Sequence, residues 1–435
     1  MLRVAIFGVG YVGLVTAACL ADLGNRVVCY DADADKIDTL RRGAVPIYEP
    51  GLAEMIARNV SGGRLAFSDS SRAAVAEAEI IFIAVGTPQG PGGEADLLQV
   101  RSAVIEIAKH INTPAIVVNK STVPVRTGDL VKSLLSEHAI DGSRVRFVSC
   151  PEFVREGCAI SDFMNPDRIV IGADDAESAD VMRLLYQPLN APLIFTSVRT
   201  AEMIKHAANA FLATKITFAN EIANLCESVG ADVTDVMRGI GCDSRIGMEF
   251  LQPGPGFGGS CLPKDVAALV YAAESRGVPQ RVLRAVLEAN AAQVERCAQK
   301  IRARLPERCR LAQLGLAFKG NTDDTRESPA LAVLQRLIAL GYEMRVHDPA
   351  ALKATEERFG TAAEYFADPY ECVEGAAAVV VATDWNEYRN LDFEALGRAM
   401  AGRLIFDLRN LYDFAEAAAH GFAVVGVGRE SEIAS

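Results

Sequence analysis

The sequence predicts an α/β protein built from two parallel-sheet domains joined by a long central helix and a helical middle domain. Three observations carry this expectation. Short apolar runs alternate with helical stretches over residues 1–199, the pattern of strands covered by helices on both faces. Residues 200–229 then hold neither Pro nor Gly and keep helical apolar spacing. Strands return after residue 305, and at 435 residues the chain is too long for one ordinary core. The expected boundaries are 1–199, 200–305 and 306–435.

Taken in order, LRVAIFG, RVVCYD, EIIFIAVGTP, AIVVNKST, RVRFVSCPEF, DRIVIG and PLIFTSV read as the strands of the first domain. The stretch from Thr200, with Met203, Ala207, Phe211 and Ile222 on its apolar stripe, predicts a helix of about 30 residues and about 45 Å. After the Gly/Pro-rich QPGPGFGGSC come two helical stretches, 266–275 and 281–305. RLAQLGLAFKG, a helix near 330–340, EMRVHDP and AAAVVVATDW follow, with Asp348 closing its strand as Asp31 closes its own. This order repeats that of the N-terminus without a fixed sequence period.

Composition excludes several classes. Half the residues are hydrophobic and 23% charged, so the chain is neither disordered nor fibrous. A net charge of −12 repels nucleic acid and anionic membranes, so any phosphate must be held locally. Residues 1–7 form a strand-like segment with no secretory pattern, and no apolar run reaches membrane-spanning length, which predicts a cytoplasmic location. Ten cysteines without a CxxC pair read as reduced thiols, and five histidines without ligand spacing give no metal site.

The chemistry begins at Gly8-Val9-Gly10-Tyr11-Val12-Gly13, between a strand and a helical stretch. Such glycines allow a tight turn, close approach of a pyrophosphate and helix–strand packing, the signature of a Rossmann-like dinucleotide site. Asp31 stands 18 positions beyond Gly13, where an acid binds ribose hydroxyls and repels a 2′-phosphate, and Ala32 rather than Arg follows it. NAD is therefore expected over NADP. In Gly258-Gly259-Ser260-Cys261-Leu262-Pro263-Lys264-Asp265 the glycines leave room for a ligand beside the thiol. Cys261 lies near a helix start with Lys264 close by, and both favour the nucleophilic thiolate. Lys205 and Asn209, four apart on the long helix, offer a cation and an amide for an oxyanion, or else belong to a solvated face. Glu152 and Glu156 in PEFVREG follow a strand end and suit a general base and a positioner, or else are exposed loop acids. Thr122 in KSTVP either anchors a water or is an ordinary turn residue.

The set GVGYVG, VGTP, KSTVPVRTG, PEFVREG, FMNPDRIVIG, GFGGSCLPKD and AFKGNTDDTRES, in this order, resembles the UDP-glucose/GDP-mannose dehydrogenase family. The resemblance implies a four-electron oxidation of UDP-glucose to UDP-glucuronate with two NAD, through a thiohemiacetal and a thioester on Cys261. It implies Lys205 and Asn209 at the oxyanion, Asp265 and Thr122 as positioners of water, and Glu152 as hydrolytic base. NAD contacts implied are Gly8, Gly10, Tyr11, Val12, Gly13, Asp31, Lys36, Gly86, Thr87, Thr122, Glu156, Lys264 and Arg326. Substrate contacts implied are Glu152, Phe153, Val154, Arg155, Glu156, Lys205 and Asn209, the loop residues Phe250, Leu251, Gln252, Gly254, Phe257 and Gly258, then Lys319 and Arg409. Arg245 is implied to reach the sugar nucleotide across a homodimer formed through the long helix. Gln252 stands where many relatives carry Lys. The competing readings are GDP-mannose 6-dehydrogenase, a two-electron hydroxyacid-type dehydrogenase, and a non-catalytic NAD or nucleotide-sugar sensor.

Overall fold

A computed structural model describes residues 1–139, 145–306 and 308–429. The chain forms two compact units, one of Met1–Ala208 with Ala267–Val278, the other of Asn209–Val266 with Pro279–Ser435. Residues 200–305, expected as a helical middle, are shared between them. Two of the three crossings fall inside continuous helices, Val198–Val229 and Leu262–Glu274.

The first unit carries an eight-stranded sheet of β1 (Arg3–Phe7), β2 (Arg26–Tyr30), β3 (Leu65–Ser68), β4 (Ile80–Ile83), β5 (Ala115–Asn119), β6 (Val145–Ser149), β7 (Ile169–Ala173) and β8 (Leu193–Thr196). Its order is β3-β2-β1-β4-β5-β6-β7-β8. The apolar run IIFI of β4 is buried throughout because helices cover both faces. Ile80 and Phe82 join one core cluster while Ile81 and Ile83 join the other, the period of two that a strand imposes.

One pairing departs from the expected parallel sheet: β6 and β7 run antiparallel. Between them stand the PEFVREG loop and a helix of only six residues, Ala159–Met164. At about 1.5 Å per residue that helix cannot carry the chain back along a five-residue strand, as a parallel crossover requires.

The second unit holds a six-stranded parallel sheet of β9 (Arg310–Leu314), β10 (Glu343–His347), β11 (Glu364–Tyr365), β12 (Ala378–Val381), β13 (Leu404–Asp407) and β14 (Ala423–Gly426), ordered β11-β10-β9-β12-β13-β14. Alternation again divides the core, with Leu311 and Val380 in one cluster and Ala312, Val379 and Val381 in the other. The predicted long helix spans 32 residues, Val198–Val229.

Candidate active site

In the first unit the glycine turn closes tightly, since a Cβ on Gly13 would lie 1.9 Å from the Gly8 carbonyl oxygen. Gly10 faces open space, and the helix Tyr11–Asp22 that follows has neither a side-chain cap nor an acidic residue in its first turn. Its N–H groups and partial positive charge are thus available to an anion. Asp31 is half-buried; it accepts from Val9 N at 2.8 Å and from Asp33 N at 3.0 Å, which fixes it beside the turn. Lys36 lies on the next helix, 3.7 Å from Asp33. At the ends of β4 and β5, Ser121 Oγ donates to Val85 O at 2.7 Å and Thr87 Oγ1 to Thr122 O at 2.8 Å, tying Gly86 and Thr87 to Thr122. The Thr122 hydroxyl pairs with no protein group among the described residues. This turn, acid and uncapped helix fit a dinucleotide.

The acids follow β6. Glu152 is buried and forms an ion pair with Lys205 at 3.1 Å, both side chains 5% exposed. Its other oxygen accepts from Val154 N at 2.8 Å, holding the loop turned. Lys205 also lies 5.3 Å above the Phe153 ring, and the Arg168 guanidinium lies 3.8 Å from the same ring's centre. Arg155 is engaged with Asp162 at 2.8 Å, and Glu156 is partly buried. Removing one partner of a buried ion pair costs about 3–5 kcal/mol, so Lys205 and Glu152 each fix the other's position.

Two residues on the same helix, Glu202 and His206, hold Lys205 in place. Glu202 accepts from Arg126 N and Gly128 N, each at 2.7 Å, and burial raises its carboxyl above the ordinary value against the pull of those two N–H groups. His206 Nε2 donates to Val123 O at 2.8 Å, a structural role. One turn of helix thereby grips the KSTVPVRTG loop from both sides of Lys205. No local signal marks Glu202, because its partners stand more than seventy residues away.

In the second unit Cys261 opens the helix Leu262–Glu274, its carbonyl accepting from Asp265 N at 2.9 Å. The partial positive charge of that N-terminus favours anionic sulfur. Asp265 is fully buried and receives Asn209 Nδ2 at 2.6 Å and Lys264 Nζ at 2.5 Å. The preceding glycines do something other than leave room for a ligand: a Cβ on Gly258 would lie 2.2 Å from Glu327 O, and one on Gly259 would meet the Phe318 ring at 2.8 Å. Gly259 N also donates to Arg326 O at 3.0 Å. The thiol turn is therefore packed by protein, which fixes its direction.

The loop 250–258 is held by amide side chains. Asn220 accepts from Gly254 N at 2.8 Å and Gln293 donates to Gly254 O at 3.0 Å. Asn290 pairs with both main-chain groups of Phe257 at 2.8 and 3.0 Å. Leu251 and Phe257 are buried, Gln252 exposed, and Phe250 adopts φ 65°. Arg409 donates to Ala382 O at 2.9 Å and Phe318 O at 2.7 Å; burial pulls its guanidinium below the ordinary value, with Asp384 pulling the other way. Lys319 Nζ lies 5.8 Å over the Phe318 ring. Among the described residues neither Arg409 nor Lys319 has a carboxylate within ion-pair distance. Arg245 is 86% exposed and paired with Asp243 at 2.5 Å, and Arg326 pairs with Asp324 at 2.6 Å.

Among the described residues no group of three or more His, Cys, Asp or Glu is arranged to hold a metal, and no helix is long and apolar enough to cross a membrane. A glycine turn after the first strand of a mostly parallel sheet, with an acid beside it and an uncapped helix behind it, defines the class as a dinucleotide-dependent dehydrogenase. Residues 2–190 match the NAD binding domain of the UDP-glucose/GDP-mannose dehydrogenase family, 199–292 its central domain and 312–414 its UDP binding domain. The chain belongs to that family and uses NAD. It is 47% identical to the UDP-glucose 6-dehydrogenase of Rhizobium meliloti over 98% of this chain and 100% of that protein. Identity to the UDP-glucose 6-dehydrogenase TuaD of Bacillus subtilis is 44%, over 99% of this chain and 94% of that one. The structure of a UDP-glucose dehydrogenase from Pyrobaculum islandicum superposes with a TM-score of 0.89 at 40% identity, covering 94% of this chain and 95% of that one.

Proposed function

We propose that the chain oxidises UDP-glucose to UDP-glucuronate in two successive two-electron steps, with Cys261 carrying the intermediate. The observation that carries this reading is the partly buried thiol at a helix start, its helix braced through Asp265 by Asn209 and Lys264. NAD, held by the turn 8–13 and Asp31, with Lys36, Gly86, Thr87, Thr122, Glu156, Lys264 and Arg326 as further contacts, supplies the acceptor for a hydride from sugar C6 at each oxidation. In the first oxidation the C6 hydroxyl gives its proton to solvent water as the hydride leaves C6, and Lys205 and Asn209 donate to the C6 oxygen as it gains negative charge. The Cys261 thiolate adds to the aldehyde carbon, making the C–S bond of a thiohemiacetal, and removal of hydride from that carbon leaves a thioester. Thr122 and Asp265 position a water, Glu152 takes its proton as it attacks, and the C–S bond breaks to release the carboxylate and return the thiolate.

Four other cysteines suit this assignment. Burial pushes Cys19 up to about 12 and Cys297 up to about 11, and raises Cys29 and Cys372 further, so these remain inert thiols. Ten cysteines without a CxxC pair suit reduced thiols and a cytoplasmic location. The loop 250–258 encloses the sugar nucleotide, Arg409 and Lys319 meet its diphosphate, and Phe153 to Glu156 line the sugar. A second copy of the chain covers the stripe Phe211, Phe218 and Leu225, which recurs every seven residues on the long helix at 65%, 48% and 56% exposure. Across that interface the exposed Arg245 reaches the partner's substrate.

An NADH-linked assay across UDP-glucose, GDP-mannose, UDP-galactose and UDP-N-acetylglucosamine tests the reading. UDP-glucose is expected to give two NADH per molecule and an acid product; a ratio of one overturns the double oxidation, and preference for GDP-mannose overturns the substrate.

A further inference from the structure

Glu49 stands outside every motif above, in the IYEPG segment before the helix Leu52–Ser61, and its residue is only 7% exposed. Its Oε1 accepts from Ala159 N at 2.7 Å and Ile160 N at 3.4 Å. Its Oε2 accepts from Gly157 N at 2.6 Å and from the Tyr11 hydroxyl, and Gly157 N also donates to that hydroxyl at 2.7 Å. One carboxylate thus takes donors from two segments that come together only in the fold. Tyr11 begins the helix after the glycine turn, and Gly157 directly follows Glu156 in the acid loop. The strands these segments leave, β1 and β6, stand three places apart in the sheet, about 14 Å at the usual strand spacing. The strands alone therefore do not set the distance from one loop to the other.

We infer that Glu49 is a positioning residue, holding the acid loop with Glu152 and Glu156 in register with the dinucleotide turn. The inference rests on the roles proposed above for those two acids. A carboxylate is required because donors approach both of its oxygens; an amide offers one oxygen and turns an NH2 group toward main-chain N–H groups. Misplacement by about 1 Å far from the reacting atoms costs about a hundredfold in rate.

The test compares wild-type enzyme with Glu49→Gln and Tyr11→Phe, reading kcat and KM, NADH affinity by fluorescence, and the thioester on Cys261 by quench-flow mass spectrometry. Rates are expressed per NADH-binding site, so lost folding alone leaves kcat unchanged. Glu49→Gln is expected to lower kcat by about 10- to 100-fold, to weaken NADH binding severalfold, and to raise the thioester fraction as hydrolysis slows. Tyr11→Phe is expected to change the same quantities less, and the double variant no more than Glu49→Gln alone. Wild-type values of kcat, NADH affinity and thioester level in folded Glu49→Gln overturn the inference while the wild-type reaction stands. If Glu49→Gln does not fold, wild-type values in Tyr11→Phe overturn it. Failure of the underlying reading appears instead in the wild-type chain, as no NADH from UDP-glucose; NADH affinity then still decides on Glu49, and an unchanged value overturns its role.

Discussion

The two sheets begin alike and end in different chemistry. Both place their first six strands in the same relative order, and both turn after the first strand on a left-handed glycine, Gly8 at φ 106° and Gly315 at φ 100°. In the first unit a helix starts three residues after that glycine; in the second, the helix Pro329–Ala339 starts fourteen residues after it. The second turn consequently has no helix N-terminus to offer a pyrophosphate. The acids differ as well. Asp31 keeps a partly exposed carboxylate with two main-chain donors, whereas Asp348, 2% exposed, accepts from Leu316, Ala317, Ala350 and Ala351 N and from Trp385 Nε1. An oxygen pair with five donors has no capacity left for a ribose. The residues inserted after Gly315 instead brace the thiol turn and carry Lys319. The comparison teaches that strand order licenses a ligand site, and that free hydrogen-bonding capacity at the first turn decides whether a dinucleotide uses it.

Substitutions can break this division of labour. The largest effect is expected from Cys261→Ala, which should lower acid formation by at least about a thousandfold while leaving NADH affinity unchanged, because Cys261 is not among the proposed NAD contacts. Undiminished UDP-glucuronate in a product assay would exclude Cys261 as nucleophile. Arg409→Gln should raise KM for the sugar nucleotide by about 10- to 100-fold with little change in KM for NAD; equal shifts in both would blur the distinction between the units.

Exchanging the two acids gives crossed outcomes. Asp31→Ala is expected to weaken NAD binding about tenfold at nearly constant melting temperature. Asp348→Ala leaves buried donors unpaired, each costing about 1–3 kcal/mol, so denaturant titration should show lost stability with NADH affinity retained in the folded fraction. The reverse pattern would mean that the second turn binds the dinucleotide.

The smallest effect concerns His347, which occupies in β10 the place of Tyr30 in β2 and pairs through Nδ1 with the Tyr388 hydroxyl at 2.9 Å. Burial lowers its imidazole below the ordinary value, although Glu387, Asp348 and Asp368 pull upward. The folded state thus binds this proton less readily than the unfolded one. Its contribution is complete above the ordinary value of about 6.5 and is lost as pH falls below it, by up to about 1.4 kcal/mol per pH unit. Thermal midpoints of His347→Gln should fall less between pH 7.5 and 5.5 than those of the wild type; equal slopes would remove His347 as the cause.

Much of the fold was legible because its signals are local. IIFI and AVVV announce buried strands by composition, and the Pro- and Gly-free stretch announces the long helix. The missed strands β3, β11, β13 and β14 have two to four residues each, too few for a period to show. For the same reason of range, Lys205 and Glu152 were found separately, but their ion pair was not.

By itself the sequence determined the two α/β regions, the long helix, the dinucleotide turn and the thiol motif, since each depends on neighbours within a turn or a strand. The tertiary structure alone decided that β7 reverses, that Asp348 is consumed by five donors, and that Glu49 and Glu202 are buried anchors. Those outcomes depend on main-chain N–H groups brought together from distant positions, and a carboxylate's role is set by the donors that reach it in space.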